Sequence, residues 1–588
     1  ELIERVAMAY EAAAIEGLDA LIYPPGDASR EQLRQQAQAG AFRAYELLRT
    51  LPIPSDVEER IFHILHLAAI AYCGDQWPDL RRWLQDHKQQ TRPPSVAHAT
   101  WDRRLLYRLF DCWIRLLRKR GWDDLDSIRE IIAGLRKDQE QYETVVLSKE
   151  NGREGQAIAL RLIALYHWAK ATELLAVHTL QGQPAGIDAE LDKHFEAGRK
   201  SAQTAQDATL DILMRWLHVT ARRMVAGSLW NVAQAINSRV TRFVESITKT
   251  QALFELLPPQ RAALQEQGLL DQASRAVVVD LPTSGGKTTL AEFRILQALN
   301  QFEADRGWVA YVAPTRALVA QLTRRLREDF STLGIGVEQL TGAVEIDSFE
   351  EALLTQNDGA VAFHILVSTP EKLHLVIRNK KVPRPLALLV MDEAHNIEDE
   401  ERGLRIELLL ATVKRDCTSA NFLLLMPYVP NAKDLAQWLG ADSAKTISIG
   451  TSPWQPNERA VGIFSLRQDN SVRAGWSLSF ETLTTTPKTI HLRGQHQVGP
   501  VKPLNVPFSK AKGLSTQAGA MAKVFSERGT SIAVGQKIPD VWSMARKIAN
   551  DLPVFADVPP EISLVQRFLQ TEISQEFELV SMLSRGVG

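Results

Sequence analysis

The chain has 588 residues, of which 45% are hydrophobic and 23% charged, and its formal net charge is −2 at pH 7. This composition is typical of a soluble globular protein with ample core, and the length suggests about three or four domains. Because the chain is not a polycation, any nucleic acid would bind to a local basic track and not to the whole surface.

The three cysteines, Cys73, Cys112 and Cys417, are far apart and show no metal-ligand spacing. They favour a reducing cytoplasm and argue against a zinc site or a disulfide framework. No apolar run reaches the length of a membrane span, so we expect no membrane association. Since the chain begins at Glu1 and not at methionine, we expect a trimmed N-terminus.

Residues 1–247 are predicted to form an all-α domain. Apolar residues recur there at helical spacing, as between positions 105 and 117, and no fixed repeat period is present. One of these helices carries many basic residues behind its apolar stripe. A solvated face is the plain interpretation, and a surface for phosphates or a protein partner is the alternative. The basic residues are Arg103, Arg104, Arg108, Arg115, Arg118, Lys119 and Arg120.

From residue 248 onward, short buried-strand runs alternate with helical stretches, which is typical of a parallel α/β sheet. Ligands of such sheets bind at the carboxyl ends of the strands. The predicted strands span 276–280, 308–313, 365–368, 386–391 and 422–426. The predicted helices span 288–299, 317–330, 371–379 and 404–413.

The first of these strands leads into the segment LPTSGGKTT, which predicts a phosphate-binding loop. Its two glycines let the backbone curl around a polyphosphate, and the following helix N-terminus adds positive partial charge. Lys287 would reach the β- and γ-phosphates, and the Thr288 hydroxyl would ligate Mg²⁺. Leu281 replaces the first glycine of the strict pattern, so an ordinary turn that caps a helix is the alternative. The predicted ATP-binding residues here are Pro282, Thr283, Ser284, Gly285, Gly286, Lys287, Thr288 and Thr289.

Two carboxylates, Asp392 and Glu393, follow the strand at 386–391, about a hundred residues after the loop. Asp392 would hold Mg²⁺, and Glu393 would orient and deprotonate the attacking water. An acidic helix start is the alternative. His395 is predicted to link the nucleotide site to a neighbouring unit. The predicted catalytic residues are thus Lys287, Asp392, Glu393 and His395, with ATP and Mg²⁺ as cofactors.

Four segments occur in a fixed order: LPTSGGKTTLAE, APTRALVAQ, VSTPEKL and DEAHNIEDEERGLRIELLLA. They resemble motifs I, Ia, Ic and II of superfamily 2 helicases, in particular the Ski2-like branch, over residues 254–462. The resemblance implies a RecA-like parallel sheet, ATP hydrolysis and 3′→5′ movement on a single strand. It also implies that Gln260 reads the adenine edge, although an ordinary polar residue at a helix start is the alternative.

The same resemblance implies contacts to a nucleic-acid strand from three short loops. Hydroxyl groups, backbone N–H groups and one arginine at strand ends contact phosphates without reading bases, and such contacts weaken as salt rises. Taken singly, each loop is an ordinary turn or helix cap. The residues are Pro314, Thr315, Arg316, Thr341, Gly342, Ser368, Thr369 and Pro370.

Two departures from the family pattern are expected to matter. Motif III of the family, usually Ser-Ala-Thr, aligns with Met426-Pro427-Tyr428, where both small hydroxyls are missing and the proline stiffens the backbone. We therefore expect altered coupling between hydrolysis and strand separation. The family's arginine fingers would lie beyond Gly588, so we expect this chain alone to bind ATP and hydrolyse it slowly.

The predicted organisation is an all-α domain for partner docking at 1–247 and a RecA-like ATP-binding domain at 248–462. These are followed by a linker with a β-rich insertion at 463–528. The chain then enters a second RecA-like domain at 529–588, which is only partly present. The helical domain and the altered motif III resemble helicases of bacterial anti-phage systems of the Hachiman type, which implies a nuclease partner.

The predicted function is an ATP-dependent helicase or translocase in the cytoplasm, with single-stranded DNA favoured over RNA. One alternative is an RNA helicase of the exosome-associated type. The other is a non-motor module that uses ATP binding as a regulatory switch.

Overall fold

A computed structural model describes residues 2–588 except for 24–25, 98, 146–151, 185, 237, 283, 341–347, 356–362, 401, 428–430, 449–459, 470–474, 486–500, 505 and 527–528. The chain divides into two compact units, Glu1–Pro456 and Asn457–Gly588. None of the described helices is long and apolar enough to cross a membrane.

The first unit opens with a helical array, here defined as α1–α10, whose apolar faces share one core. Capping residues set several helix starts, as where Asp56 Oδ1 accepts hydrogen bonds from the backbone N–H groups of Glu58 (2.9 Å) and Glu59 (3.0 Å). The array comprises α1 (Leu2–Glu16), α2 (Leu18–Ile22), α3 (Ala28–Leu48), α4 (Val57–Cys73), α5 (Trp77–Asp86), α6 (Trp101–Arg118), α7 (Trp122–Val145), α8 (Arg153–Gln181), α9 (Ile187–Thr204) and α10 (Ala208–Ala226).

The basic helix of the sequence is α6, and acidic neighbours neutralise much of its charge. Arg108 Nε lies 2.9 Å from Asp138 Oδ2, and Arg118 Nη2 lies 2.9 Å from Asp124 Oδ1. Arg115 Nε lies 2.9 Å from Asp111 Oδ1 on the same helix. These ion pairs hold the arginines in protein contacts, which gives no support to a phosphate-binding surface on α6.

Three further helices connect the array to a parallel sheet: α11 (Leu229–Ile236), α12 (Ser238–Thr250) and α13 (Pro258–Arg261). Side chains of α11 and α12, including Trp230 and Phe243, belong to the core on one face of that sheet. The helical region therefore continues into the layer that covers the sheet. The division into domains at 247 stays a prediction.

The sheet of the first unit has seven parallel strands in the order β3-β4-β2-β5-β6-β1-β7. Alternate residues of β1 enter the two cores on opposite faces, Val277 and Val279 on one and Ala276 and Val278 on the other. The strands are β1 (Ala276–Asp280), β2 (Trp308–Val312), β3 (Val337–Leu340), β4 (Ile365–Ser368), β5 (Leu386–Met391), β6 (Asn421–Met426) and β7 (Ala444–Ser448).

The predicted central strands are confirmed to within one residue at each end, but both edge strands were missed. In β3 the middle residues Glu338 and Gln339 are polar and half-buried, and in β7 only Ile447 is buried. Edge strands cover one side only, so they lack the continuous apolar run that marks a central strand. The sheet's remaining helices are α14 (Lys287–Gln301), α15 (Arg316–Asp329), α16 (Ser348–Thr355), α17 (Pro370–Arg378), α18 (Gly403–Asp416) and α19 (Ala432–Gly440).

The second unit contains a three-stranded antiparallel sheet in the order β10-β9-β8, most of which lies in the β-rich insertion predicted at 463–528. Its strands are β8 (Ala460–Gln468), β9 (Trp476–Thr485) and β10 (Val501–Leu504). Its helices are α20 (Phe508–Ala511), α21 (Leu514–Ser526), α22 (Ile538–Asp551), α23 (Pro560–Glu572) and α24 (Glu578–Leu583).

Residues 529–535, the start of the predicted second RecA-like domain, form no strand in this structure. The segment is irregular, and its apolar side chains Ile532 and Val534 are each 86% exposed. An apolar run becomes a strand only where a neighbouring strand supplies backbone partners. The assignment of 529–588 to a second RecA-like domain stays a prediction.

Candidate active site

The loop between β1 and α14 has the backbone shape that its glycines predict. Gly285 N donates to Pro282 O at 3.0 Å, and Gly286 has a φ of +76°. This left-handed conformation suits glycine because a Cβ would crowd the backbone. It turns the chain directly into α14, whose first N–H groups have no intrahelical partners and can bind an anion. Thr283 lies outside the described residues.

Lys287, the first residue of α14, directs an unpaired charge into this region. The side chain is only 9% exposed, and its Nζ has no hydrogen-bond partner in the described part of the chain. A buried ammonium without a partner costs several kcal/mol in principle. A phosphate group is the type of ligand that would supply the missing partner of the Lys287 ammonium.

The two carboxylates lie at the end of β5. Asp392 Oδ1 accepts from Glu393 N at 2.9 Å, and Asp392 Oδ2 accepts from the Tyr311 hydroxyl at 3.4 Å. Burial raises the pKa of Asp392, and the Glu393 carboxylate adds to that rise. The Lys287 ammonium opposes it. Lys287 is therefore close enough for its charge to act on Asp392.

The strand order explains how residues so far apart in sequence meet. Strand β6 lies between β1 and β5, with Met426 beside Asp280 and Leu424 beside Met391. Because all three strands are parallel, their carboxyl ends lie at one edge of the sheet. Met426 O also accepts from Leu281 N at 3.1 Å, so the altered motif III begins directly beside the phosphate loop. Tyr428 lies outside the described residues.

The donor set fits a magnesium ion that is shared with a nucleotide. The half-buried Thr288 hydroxyl and the Asp392 carboxylate offer the oxygen ligands that Mg²⁺ prefers, with phosphates and water completing six positions. Within the described residues no group of three or more His, Cys, Asp or Glu side chains could hold a metal by itself. Magnesium would therefore bind together with the phosphates.

Two other predicted residues, Gln260 and Thr289, have hydrogen-bond partners of their own, whereas His395 Nδ1 has none within the described residues. The Gln260 amide donates to Gly286 O at 3.0 Å and accepts from Leu257 N at 2.9 Å, so it lies on the loop. The buried Thr289 hydroxyl accepts from Arg325 Nη2 at 3.3 Å, which uses it in a contact between α14 and α15. A role for Gln260 in reading adenine stays a prediction. His395 Nδ1 lies 3.3 Å from an oxygen of the Glu393 carboxylate.

Two of the three predicted strand-contact loops lie side by side. Ala313, at the end of β2, donates its N–H to Ser368 O at 3.0 Å. Pro314, Thr315 and Arg316 follow, and Thr315 Oγ1 caps α15 by accepting from the backbone of residue 318. The second loop begins α17 with half-buried Thr369 and buried Pro370, and the Ser368 side chain is fully buried. Thr341 and Gly342 lie outside the described residues.

Sequence reasoning missed the polar side chains behind Asp392. Tyr311 is fully buried, and burial raises its pKa well above the ordinary value. The charges of Arg325 and Glu292 act on Tyr311, and Arg325 Nε lies 3.3 Å from both Glu292 Oε1 and Asp329 Oδ2. The only local signal was a tyrosine inside the apolar run WVAYV and a glutamate inside a buried helix.

Alanine in place of Gly286 should weaken nucleotide binding at least about tenfold. A left-handed φ costs a non-glycine residue roughly 1–2 kcal/mol, and about 1.4 kcal/mol corresponds to tenfold in affinity. The new Cβ would also lie 2.0 Å from Gln260 Nε2. Titration with a fluorescent ATP analogue in the presence of Mg²⁺ would measure the dissociation constant.

The matched control is Gly334→Ala, because Gly334 also has a left-handed φ (+67°) but has open space around its Cβ. This variant should lose some stability and bind as wild type does. Adding Gln260→Ala to Gly286→Ala removes the clash and should recover part of the affinity. Wild-type affinity of Gly286→Ala would contradict the loop geometry.

Residues 258–426 match the family of DEAD/DEAH box helicases. The chain is 28% identical over 287 residues to the Hachiman protein HamB of Bacillus cereus. This alignment covers 47% of the chain and 24% of HamB. The chain is 31% identical over 226 residues to the ATP-dependent DNA helicase Hel308 of Thermococcus kodakarensis. This alignment covers 38% of the chain and 18% of Hel308. The chain thus spans a quarter or less of the length of these two relatives.

Among solved structures, the DUF1998 helicase MrfA bound to DNA is similar to this chain with a TM-score of 0.36 and 16% sequence identity. The match covers 57% of this chain and 43% of the MrfA chain. The sequence matches confirm that residues 258–426 form a DEAD/DEAH box helicase domain. They also confirm the resemblance to superfamily 2 helicases of the Ski2-like branch.

Proposed function

We propose that this chain, whose residues 258–426 form a DEAD/DEAH box helicase domain, couples ATP hydrolysis to movement on nucleic acid. The observation that supports this most is the buried, unpaired Lys287 ammonium beside the Asp392–Glu393 pair. A positive charge for phosphates and two carboxylates for magnesium and water are the parts that phosphoryl transfer to water requires.

Each residue then has a distinct role. Lys287 and the N–H groups of α14 stabilise negative charge on the β- and γ-phosphates. Asp392 and Thr288 hold Mg²⁺ against the same phosphates. Glu393 accepts the proton of the attacking water, and its backbone N–H, which donates to Asp392 Oδ1, holds the Asp392 carboxylate in place. His395 lies beside this base, with Nδ1 3.3 Å from the Glu393 carboxylate, but that nitrogen has no hydrogen-bond partner among the described residues.

The proposed track is single-stranded DNA, with movement in the 3′→5′ direction. Thr315, Arg316 and Thr369 lie at neighbouring strand ends of the sheet, where hydroxyl and guanidinium groups can hold phosphates without reading bases. DNA is favoured over RNA because Hel308 is an ATP-dependent DNA helicase, and residues of this chain align with it. An RNA helicase of the exosome-associated type is the alternative.

We further propose a role in bacterial antiviral defence in the cytoplasm, with a nuclease partner that docks on the helical array. The similarity to the Hachiman protein HamB supports this proposal, since the alignment covers 47% of this chain.

Nucleotide-dependent binding to matched oligonucleotides tests the proposed function without relying on fast turnover. Fluorescent single-stranded DNA, single-stranded RNA and duplex DNA of one length would be titrated with the chain, with and without a non-hydrolysable ATP analogue. We expect nucleotide-dependent binding to single-stranded DNA that weakens as salt rises, together with ATPase activity that this DNA stimulates. Preference for RNA would favour the exosome-associated type. Nucleotide binding without any effect of nucleic acid would favour the non-motor module.

A further inference from the structure

The segment from Glu255 to Arg261 enters the helicase domain and is held by the helical array at two buried ionic clusters. In the first cluster, Glu255 is 3% exposed and accepts a hydrogen bond from Lys119 Nζ at 2.9 Å. The Tyr72 hydroxyl donates to the same carboxylate at 3.2 Å, and Arg81 pairs with it. This cluster fixes the start of the segment.

The second cluster has Asp75 at its centre, directly after α4. Asp75 is 4% exposed and has a left-handed φ of +57°. Arg261 donates to both of its oxygens, Nη1 to Oδ1 at 3.1 Å and Nη2 to Oδ2 at 2.8 Å. Arg223 Nη2 donates to Oδ1 at 2.6 Å, and Gln38 Nε2 donates to Oδ2 at 2.5 Å. One carboxylate thus joins α3, α4, α10 and α13.

The Asp75 carboxylate is charged in this environment. Burial alone would raise its pKa, but the guanidinium groups of Arg223 and Arg261 hold that pKa at about 2. A two-point contact between a carboxylate and a guanidinium group fixes orientation as well as distance. The position of Arg261, and of the short helix α13 that carries it, is therefore set by the helical array.

The residue before Arg261 is Gln260, whose side chain lies on the phosphate loop. Its Nε2 donates to Gly286 O at 3.0 Å, and a Cβ at Gly286 would lie only 2.0 Å from the same atom. The side-chain oxygen Oε1 of Gln260 accepts a hydrogen bond from Leu257 N, which fixes the other end of the same amide group. A continuous set of contacts therefore runs from Asp75 through Arg261 and Gln260 to Gly286, the residue before Lys287.

We propose that Asp75 is a remote positioning residue for nucleotide binding, which acts through Arg261 and Gln260 on the phosphate loop. This inference rests on the proposed function, since it assumes that the loop binds a nucleotide. It makes the helical array part of the machinery that sets nucleotide affinity. By linkage, whatever changes the position of α4 or α10 changes that affinity, and nucleotide binding acts back on the array by the same factor.

The test compares variants of the 588-residue chain in titrations with a fluorescent ATP analogue and Mg²⁺. Arg261→Lys keeps the charge but loses the two-point contact, and Asp75→Asn removes the charge at equal size. Glu255→Gln is the matched control, because it breaks the other buried cluster on the same segment, and among the described residues no side-chain hydrogen bond joins Glu255 to Gln260 or Gly286. We expect about a fivefold or larger loss of affinity for Arg261→Lys and Asp75→Asn, with Glu255→Gln within twofold of wild type although its melting temperature falls.

A double-mutant cycle separates positioning from general destabilisation. In a Gln260→Ala background, Arg261→Lys should cause no further loss of affinity. An equal loss in both backgrounds, wild-type affinity of Arg261→Lys, or an equal loss in Glu255→Gln would overturn the inference. Where Asp75→Asn fails to fold, the milder Arg261→Lys carries the test.

Hydrogen exchange distinguishes failure of this inference from failure of the proposed function. In the nucleotide-free chain, the amides of residues 284–290 should exchange faster in Arg261→Lys than in Glu255→Gln. Equal exchange in the two variants would remove the positioning role even if ATP binds. A second outcome is that the wild-type chain binds no nucleotide while exchange is still faster in Arg261→Lys than in Glu255→Gln. That outcome would contradict the proposed function and leave the link to the loop in place.

Discussion

Replacement of Glu393 by glutamine should abolish ATP hydrolysis and leave ATP binding intact. Glutamine keeps the shape of the side chain but cannot accept the proton of the attacking water, and a general base contributes about 10²–10⁴-fold to a rate. Glu393 has a left-handed φ of +50°, and its N–H donates to Asp392. Because the substitution changes neither of these backbone features, the magnesium-binding carboxylate should stay in place.

Single-turnover hydrolysis of radiolabelled ATP with single-stranded DNA would measure the effect, and a fluorescent analogue would measure binding. The matched control is Glu398→Gln, since Glu398 is an exposed glutamate at the end of the short 3₁₀ helix (Ala394–Glu398) that follows Glu393. It should hydrolyse ATP at the wild-type rate. If Glu393→Gln also turns over at the wild-type rate, Glu393 is not the base and the proposed mechanism fails.

The parts of this molecule that the sequence predicts well are those whose signal is local. Strands β1 and β5 are buried on both faces, so each is an uninterrupted apolar run. The phosphate loop needs a left-handed residue before a helix, and Gly286 supplies it within the same short stretch. The position of Lys287 and Asp392 at one edge then follows from the parallel arrangement of the strands.

The parts that could not be predicted depend on residues far apart in the chain. Asp75 and Arg261 are separated by 186 positions, and neither stands out in its own stretch of sequence. The ion pairs of α6 give a second case. Its arginines suggested a basic surface only because carboxylates such as Asp138, on the next helix, cannot be assigned to them from spacing. Pairing of distant charges leaves no periodic pattern to read.

Replacement of Lys287 by methionine should have opposite effects on binding and on stability. Binding of Mg·ATP should be lost, because the side chain that neutralises the β- and γ-phosphates is gone. The nucleotide-free protein should become more stable, by about 1–4 kcal/mol at most, since an apolar chain of similar length replaces a buried and unpaired ammonium. Lost attraction between Lys287 and Asp392 opposes this gain.

Thermal unfolding with and without Mg·ATP measures both effects in one experiment. Ligand that binds only the folded state raises the melting temperature, so wild type should respond to Mg·ATP and Lys287→Met should not. The matched control is Lys372→Met, because Lys372 is also buried but its Nζ lies 2.6 Å from Glu350 Oε2. Removing this lysine breaks its buried ion pair with Glu350 and should lower the melting temperature. A destabilised Lys287→Met would mean that Lys287 is already neutralised in the free protein, and the phosphate site would then need another source of positive charge.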